Sequence, residues 1–406
     1  MPSKSLILVL VAGMLLTGCS NTLLTKWQDQ QCVRNCSDPD PRKRENFEQP
    51  VIQTLQMFIG EMGCWLVIGL YRLYTKYQSR RGHADGYEPI NSSDDPLEDP
   101  AEPSSPILKA LTASSIERPY LSGYKVFLLS LPAICDICGT TLMNVGLLFV
   151  AASIYQMTRG ALVLFVGLFS VIFLKRHLYL FHWLALFVVV AGVAVVGLAG
   201  SLFKSGETNE MEVEVDVLRS IIGVLLIAGA QIFTATQFVL EEHILENYAM
   251  EPLQVVGWEG IFGFAVTSIG MVVLHFTIGV TEQGQYGYFD AVEGLREMRI
   301  KNVLISSLLI MVSIGAFNFF GISVTRSVSA TSRSTIDTCR TLFIWIVSLG
   351  LGWEKFIPLQ LFGFGLLVYG TFLFNEIIHP PLQACRPNRP IEAREELLPE
   401  EPIEHM

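Results

Sequence analysis

Apolar residues in this chain are gathered into blocks of about twenty, and this grouping constrains the fold more than any other feature. A helix rises roughly 1.5 Å per residue, so such a block spans the ~30 Å hydrocarbon core of a bilayer. Ten blocks occur, at about residues 5–25, 51–71, 126–150, 153–174, 180–203, 219–241, 255–278, 303–325, 335–353 and 356–377. They are continuous rather than alternating, which excludes a transmembrane barrel. The sequence therefore predicts an all-α polytopic membrane protein with ten transmembrane helices.

The composition agrees with this class and excludes several others. Of 406 residues, 51% are hydrophobic and 16% are charged, whereas a soluble globular protein has about 25% charged residues. The formal net charge of −10 and the absence of a basic stripe argue against a nucleic-acid partner. No phosphate-binding Gly-x-x-x-x-Gly-Lys loop, no His-Glu-x-x-His pair and no nucleophile with its base occurs. We therefore expect no enzyme, no ATP-driven pump, no metal and no cofactor.

Two polar stretches interrupt the apolar blocks. Residues 78–118 and the acidic tail 379–406 are predicted to be disordered, because they cannot bury enough apolar surface to offset their ordering entropy. The rest divides into a first five-helix repeat over 1–203, a linker over 204–218 and a second repeat over 219–378. Helices four and nine each carry an arginine near their start, Arg159 and Arg340, and each is followed by a glycine-rich helix. This match favours a 5+5 inverted repeat with the substrate path between the halves.

Ionisable residues inside spans are costly and need a partner or a water-lined cavity. The candidate substrate-binding residues are Glu61, Asp136, Arg159, Asn318, Asp337 and Arg340. One interpretation is structural: Arg159 pairs with Asp136 or Glu61. In the same interpretation Arg340 pairs with Asp337, three residues away on one helix face. The functional interpretation has both arginines presenting forked donors to a carboxylate or phosphate. A mixed interpretation has an ion pair that opens for the solute, or a carboxylate that takes a coupling proton.

Other polar residues have simpler explanations. Glu241 and Glu259 fall near predicted membrane interfaces, where we expect solvated positions. Cys32 and Cys36 could pair if the first loop is luminal, which follows if both termini are cytosolic, as the positive-inside rule weakly favours. The segment 16–19 imitates a lipoprotein cleavage site. The alternative, a first transmembrane helix anchored at Lys26 and Trp27, suits a chain with nine further spans.

Several ordered motifs carry a family resemblance. They are Gly60-Glu61, Leu131-Pro132-Ala133-Ile134-Cys135-Asp136, Gln156-Met157-Thr158-Arg159-Gly160-Ala161, Val256-Gly257-Trp258-Glu259-Gly260, Ala316-Phe317-Asn318-Phe319 and Asp337-Thr338-Cys339-Arg340-Thr341. Together they resemble the drug/metabolite transporter superfamily (EamA-like), and closely the branch of solute carrier family 35 subfamily F typified by its sixth member. The resemblance covers nearly the whole chain apart from 78–118 and the tail.

The resemblance implies a ten-helix inverted repeat that works by alternating access in an endomembrane. Nucleotide-sugar transporters are related, but their lysine-bearing motif in helix nine is not found; Arg340 stands nearby instead. We expect a secondary transporter that moves a small organic, anionic solute. The alternative is a scaffold or nutrient-sensing membrane protein that keeps the carrier fold without turnover.

The polar stretch 78–118 also contains a candidate sorting motif. Tyr87 and Ile90 have the Tyr-x-x-hydrophobic spacing that clathrin adaptors bind in extended form, and Pro89 biases the preceding residue toward that conformation. We therefore expect residence in a lysosomal or vacuolar membrane, with the Golgi as the alternative. The expected partners are the lipid bilayer, a small-molecule substrate and a clathrin adaptor. A homodimer is a further assembly that the chain could form.

Overall fold

A computed structural model describes residues 4–36, 44–82, 119–121, 123–147, 149–150, 152–174, 180–204, 210–281, 284, 287–352 and 357–374. The contacts below are those between these residues. Tyr87, Ile90 and the acidic tail lie outside the described residues.

The described chain is almost entirely helical. The helices are α1 (Lys4–Asp29), α2 (Pro50–Gly82), α3 (Ser130–Leu147), α4 (Ala152–Thr158), α5 (Leu162–Leu174), α6 (Leu180–Lys204), α7 (Glu210–Asn247), α8 (Pro252–Leu274), α9 (Ala291–Glu297), α10 (Lys301–Ser327), α11 (Ala330–Gly350) and α12 (Pro358–Phe374). Two strands, β1 (Cys32–Arg34) and β2 (Glu45–Asn46), form an antiparallel pair between α1 and α2. The segment 16–19 lies inside α1, and α7 begins within the stretch 204–218 assigned as a linker.

Local sequence explains several helix starts. Pro252 occupies the first turn of α8, where its missing N–H costs nothing. The side chain of Asp290 accepts a hydrogen bond from the Glu293 amide at the start of α9, at 3.3 Å. Ser329 caps α11 in the same way, accepting from the Ser332 amide at 3.1 Å. This cap begins α11 at Ala330, five residues before the predicted start of the ninth helix.

Six helical segments are long and apolar enough to cross a membrane. They are Ser5–Asp29, Pro50–Gln78, Gly123–Leu147, Ile221–Asn247, Pro252–Gly279 and Lys301–Ser327. Three shorter apolar helices coincide with predicted spans: Arg159–Leu174, Leu180–Val196 and Pro358–Phe374. Large apolar side chains are exposed on the bundle surface, with Phe276 at 73% and Phe187 at 71%, while Arg333 is only 1% exposed. This inverted distribution is expected where lipid replaces water. The protein is a multi-pass α-helical membrane protein.

Neighbouring helices approach closely at glycines. A Cβ at Gly60 of α2 would lie 2.3 Å from the Met311 carbonyl oxygen of α10, and a Cβ at Gly315 would lie 2.7 Å from the Gly60 carbonyl oxygen. α6 and α12 meet similarly, since a Cβ at Gly192 would lie 2.8 Å from the Gly363 carbonyl oxygen. Such backbone contacts are typical of membrane helix interfaces.

The predicted fourth span is not one continuous helix. A 3₁₀ turn over Arg159–Ala161 separates α4 from α5. A short 3₁₀ stretch within a helix changes the local turn geometry and is often found at functional hinges. Arg159 therefore lies at a 3₁₀ turn between two α-helices, which we call the helix break, and not within the first turn of a regular helix.

One end of the bundle is closed by the strand pair. Cys32 and Cys36 form a disulfide there. Arg34 contacts three carboxylates, Glu45 at 3.1 Å, Glu293 at 3.0 Å and Glu297 at 3.2 Å. We call Arg34 and these three carboxylates the clasp, because they tie the connection between α1 and α2 to the connection between α8 and α10.

Candidate functional site

Helix α11 presents one polar stripe to the bundle interior. Arg333, Asp337 and Arg340 follow one another at i, i+4 and i+7, the spacing of a single helix face. All three are buried, at 1%, 5% and 3% exposure. The stripe faces two groups of residues from other helices, and these two groups have opposite charge.

The first group surrounds Asp337 and is positively charged. Arg340 Nη2 lies 2.7 Å from Asp337 Oδ1, and Arg159 Nη2 lies 3.8 Å from Asp337 Oδ2. We call these three residues the arginine cluster. The pairing of Arg340 with Asp337 agrees with the sequence interpretation, but Arg159 pairs with Asp337 rather than with Asp136 or Glu61. Since the helix break sets Arg159 opposite α11, one carboxylate is shared between two guanidinium groups.

The arginine cluster has unused hydrogen-bond donors. Arg340 Nη1 makes a 3.4 Å contact with the Gly18 carbonyl oxygen of α1. By contrast, Arg340 Nε, Arg340 Nη2 and Arg159 Nε are buried and have no hydrogen-bond partner among the described residues. The 2.7 Å contact with Asp337 is thus an ion pair without hydrogen-bond alignment. Buried unpaired donors of this kind are costly, and an anionic ligand would satisfy them.

The surroundings hold the two guanidinium groups in place. Phe317 lies under Arg340 with its ring centre 4.7 Å from Cζ, and Tyr155 lies 5.9 Å from Arg159 Cζ. A Cβ at Gly18 would lie 2.4 Å from Arg340 Cδ, so only glycine at this position leaves space for the arginine. Aromatic faces and a small residue therefore line the arginine cluster.

The second group is negatively charged and lies toward the start of α11. Asn318 Nδ2 donates to Glu61 Oε1 at 2.5 Å, joining α10 to α2. A Cβ at Gly260 would lie 2.8 Å from the Glu61 Cβ, so α8 packs directly on α2 at Glu61. Asp136 accepts from the Thr140 hydroxyl of its own helix at 3.3 Å. The predicted residues Glu61 and Asn318 therefore contact each other, and neither forms a hydrogen bond or ion pair with Arg159 or Arg340 among the described residues.

Three further residues complete this group. Glu241 and Glu259 are 1% and 6% exposed, so the expectation that they are solvated was wrong. Arg333 forms an ion pair with Glu241 and covers the Phe238 ring at 3.8 Å. Sequence reasoning missed Arg333 because it placed the helix start at residue 335; the Ser329 cap would have extended the helix through it. Together we call Glu61, Asp136, Glu241, Glu259 and Arg333 the acid cluster.

The chain is similar to known proteins along nearly its whole length. A family model described as nucleotide-sugar transporter matches residues 107–296. Solute carrier family 35 member F6 of Homo sapiens is 37% identical over 392 residues, covering 96% of this chain and 94% of the relative. An uncharacterized protein of Schizosaccharomyces pombe is 37% identical over 370 residues, covering 91% of this chain and 97% of the relative.

A solved crystal structure also matches, with a TM-score of 0.51 and 11% identity, over 92% of this chain and 99% of that chain. At this identity the likeness shows the fold alone. The relatives carry the assignment, since their alignments cover more than nine tenths of this chain and of each relative. Together with the membrane-spanning helices, they show that this protein belongs to solute carrier family 35, a family of membrane solute transporters.

Proposed function

We propose that the protein is a secondary transporter that moves a small organic, anionic solute across an endomembrane by alternating access. The observation that carries this proposal is the arginine cluster, in which two buried guanidinium groups share one carboxylate. The cluster has one positive charge in excess, and the Nε–H groups of Arg159 and Arg340 are buried without a hydrogen-bond acceptor among the described residues. A carboxylate or phosphate would supply both the missing charge and the missing acceptors.

The pattern of helix packing supports a 5+5 repeat around this site. If the first repeat is α1, α2, α3, α4–α5 and α6, the second is α7, α8, α10, α11 and α12. The main contacts are α1 with α10, α3 with α7, α2 with α8, and α6 with α12. If each helix is replaced by its counterpart in the other repeat, the contact of α1 with α10 becomes the contact of α7 with α3. The contacts of α2 with α8 and of α6 with α12 already join counterparts, so they stay the same. Arg159 and Arg340 then occupy corresponding elements, as in an inverted-repeat transporter with its site between the halves.

Uptake into proteoliposomes tests the proposal. The purified chain is screened with labelled nucleoside monophosphates, nucleotide sugars and dicarboxylates. For a solute that enters, Arg159→Ala or Arg340→Ala is expected to lower uptake on the order of a hundred-fold. Arg340→Lys tests geometry, because it keeps the charge but loses the fork. Arg296→Ala is the control, since Arg296 is 79% exposed.

The outcomes separate a transporter from its alternative. Folded wild type without uptake of any probe would favour a carrier-fold scaffold or nutrient sensor. Normal uptake by both alanine variants would remove the arginine cluster from the mechanism. If the alanine variants fail to fold and neutralising Asp337 restores folding, the cluster is a structural ion pair.

The orientation follows the same proposal. With cytosolic termini and ten spans, the connections joined by the clasp both face the lumen, which agrees with their contact in the structure. Two N-glycosylation sequons of the form Asn-x-Ser begin at Asn35 and Asn91. In this orientation they lie on opposite sides of the membrane, with Asn35 in the lumen and Asn91 in the cytosol. A glycosidase-sensitive shift that disappears in Asn91→Gln would overturn this orientation.

Location in a lysosomal or vacuolar membrane is proposed from the Tyr87 motif, with the Golgi as the alternative. A cytosolic insert would present Tyr87 and Ile90 to a clathrin adaptor. Tyr87→Ala is expected to move the protein to the cell surface, whereas Glu88→Ala, at a position the motif leaves open, is not. If Tyr87→Ala stays at the same internal membrane as wild type, the motif is not a sorting signal. The proposed location would then rest on the family resemblance alone.

A further inference from the structure

The acid cluster lies within the bundle but takes no part in the anion site. Along α11, Arg333 and Arg340 are separated by seven residues, which is about 10 Å of helix rise. Glu61 is 3% exposed and Glu259 is 6% exposed, so neither carboxylate reaches water freely. A buried carboxylate needs a cation, hydrogen-bond donors or a proton.

The cations nearby are too few for the carboxylates. Charged groups act on Glu61 from every helix around it: Asp136 of α3, Glu241 of α7, Glu259 of α8 and Arg333 of α11. Arg333 is already paired with Glu241, so that pair is neutral. Asp136 is offset in part by the Thr140 hydroxyl and, to a smaller extent, by Arg333 and Arg159. These pairings leave Glu61 and Glu259 without a matching positive charge.

Hydrogen bonds do not replace the missing charge. Glu61 receives one donor, the Asn318 amide. Glu259 Oε1 is buried and has no hydrogen-bond partner among the described residues, and the same holds for Glu241 Oε1. An unpaired carboxylate oxygen in a bilayer is strongly unfavourable, and binding a proton to one of the carboxyl groups removes the charge.

A metal ion is the alternative cation, and the geometry does not provide for one. Among the described residues, no group of three or more His, Cys, Asp or Glu side chains is placed to hold a metal ion. A proton needs no coordination sphere and fits this space.

We propose that Glu61 and Glu259, held between α2, α8 and α10, form a proton-binding site that holds at least one proton near neutral pH. Its use as the coupling site of the transporter rests on the proposed function. Protonation removes negative charge from the bundle interior that also holds the two arginines of the arginine cluster, so it favours an anion there. Since such linkage is reciprocal, the proton and the anion promote each other's binding, as in a symporter.

Infrared spectroscopy of the full chain in lipid nanodiscs tests the site without any solute. A protonated carboxyl group gives a C=O stretching band separate from that of a carboxylate. We expect wild type to show this band near neutral pH, and Glu61→Gln and Glu259→Gln to reduce it. At position 61 glutamine keeps an oxygen to accept from Asn318, and at position 259 it keeps the shape of a side chain whose Oε1 has no partner among the described residues, so both variants should fold. The control is Glu246→Gln, at an exposed position on α7.

The result decides the site independently of transport. A wild-type spectrum without the band between about pH 5 and 8, or a band unchanged in both glutamine variants, overturns the proposal. If a variant fails to reach nanodiscs, isotope-labelled glutamate assigns the band in wild type, and a band that does not shift on glutamate labelling overturns it. Loss of all solute uptake would refute the proposed function while leaving the band to decide the proton site.

Discussion

The arginine cluster and the acid cluster lie on the same stripe of α11, yet they solve the problem of buried charge differently. In the arginine cluster two guanidinium groups share one carboxylate and keep unpaired N–H donors. In the acid cluster four carboxylates share one paired arginine, the Asn318 amide and the Thr140 hydroxyl. The arginine cluster therefore has excess positive charge, and the acid cluster has excess negative charge. A guanidinium group cannot release its proton at ordinary pH, whereas a carboxylate can take one.

This difference indicates that the two clusters bind different ligands. Permanent positive charge is suited to an anionic solute, because the attraction does not depend on pH. Carboxylates are suited to a proton, because their charge is removed at modest cost in an apolar site. The ion pair between Arg333 and Glu241 lies in the acid cluster but already satisfies its own charge, so we assign it a structural role. The predictions below separate these three roles.

The largest expected effect is on the structural pair. Removing one partner of a buried ion pair leaves an uncompensated charge, which costs about 3–5 kcal/mol. Arg333→Met should therefore strongly destabilise the detergent-purified protein, and Glu241→Gln in the same chain should restore much of the loss. Thermal unfolding of the single and double variants measures this coupling. A single variant as stable as wild type would contradict the structural role.

The next effect concerns the close packing beside the acid cluster. A Cβ at Gly60 would lie 2.3 Å from the Met311 carbonyl oxygen, and backbone cannot move aside as a side chain can. Gly60→Ala should thus separate α2 from α10 and cost about 1–3 kcal/mol. Gly63, one turn along α2, has no neighbouring atom within 4 Å of such a Cβ.

Gly63→Ala is therefore the matched control, and higher helix propensity should make it neutral or stabilising by up to ~1 kcal/mol. Both variants are compared by thermal unfolding. The Gly60 variant should also weaken the contact between Asn318 and Glu61, which the infrared band would report. Equal stability of the two variants would show that the helices do not meet as described.

A third prediction concerns the carboxylate shared by the arginines. An anionic solute must compete with Asp337 for both guanidinium groups, so Asp337→Asn should bind it about ten-fold more tightly, a gain of roughly 1.4 kcal/mol. Release should slow, and the maximal uptake rate should fall. The concentration dependence of uptake, for a solute that wild type transports, measures both. Weaker binding in this variant would mean that Asp337 positions the arginines instead of blocking them.

Much of the fold was accessible from the sequence, because membrane helices are long and apolar and their polar residues are few. The spans over α1, α8 and α10 agree to within four residues, whereas α2 continues to Gly82, beyond its predicted end and into the stretch 78–118 that was predicted to be disordered. The pair of Asp337 with Arg340 follows from helical spacing. The contact of Arg159 with Asp337 could not be predicted, since it depends on a helix break and on packing between distant helices. Glu241 and Glu259 were wrongly predicted to be solvated, because they lie near the ends of predicted spans. Their burial depends on packing against other helices and not on their distance from the end of the span.

The smallest effect is expected in the clasp, outside the membrane-spanning segments. Glu297 is 6% exposed, and burial is the main cause that raises the pKa of this carboxyl above its ordinary value; Glu293 and Glu45 add to the rise. Arg34 and Gln49 oppose it. Since the folded state holds the proton more tightly than the unfolded state, protonation of Glu297 stabilises the fold.

That stabilisation is complete below the ordinary pKa of about 4.3 and is lost as pH rises through the raised pKa. Glu297→Gln mimics the protonated form, so thermal stability should fall with rising pH more in wild type than in this variant. Glu45→Gln is the matched control, because Glu45 also contacts Arg34 but is 53% exposed. Parallel pH profiles for wild type and Glu297→Gln would contradict the raised pKa.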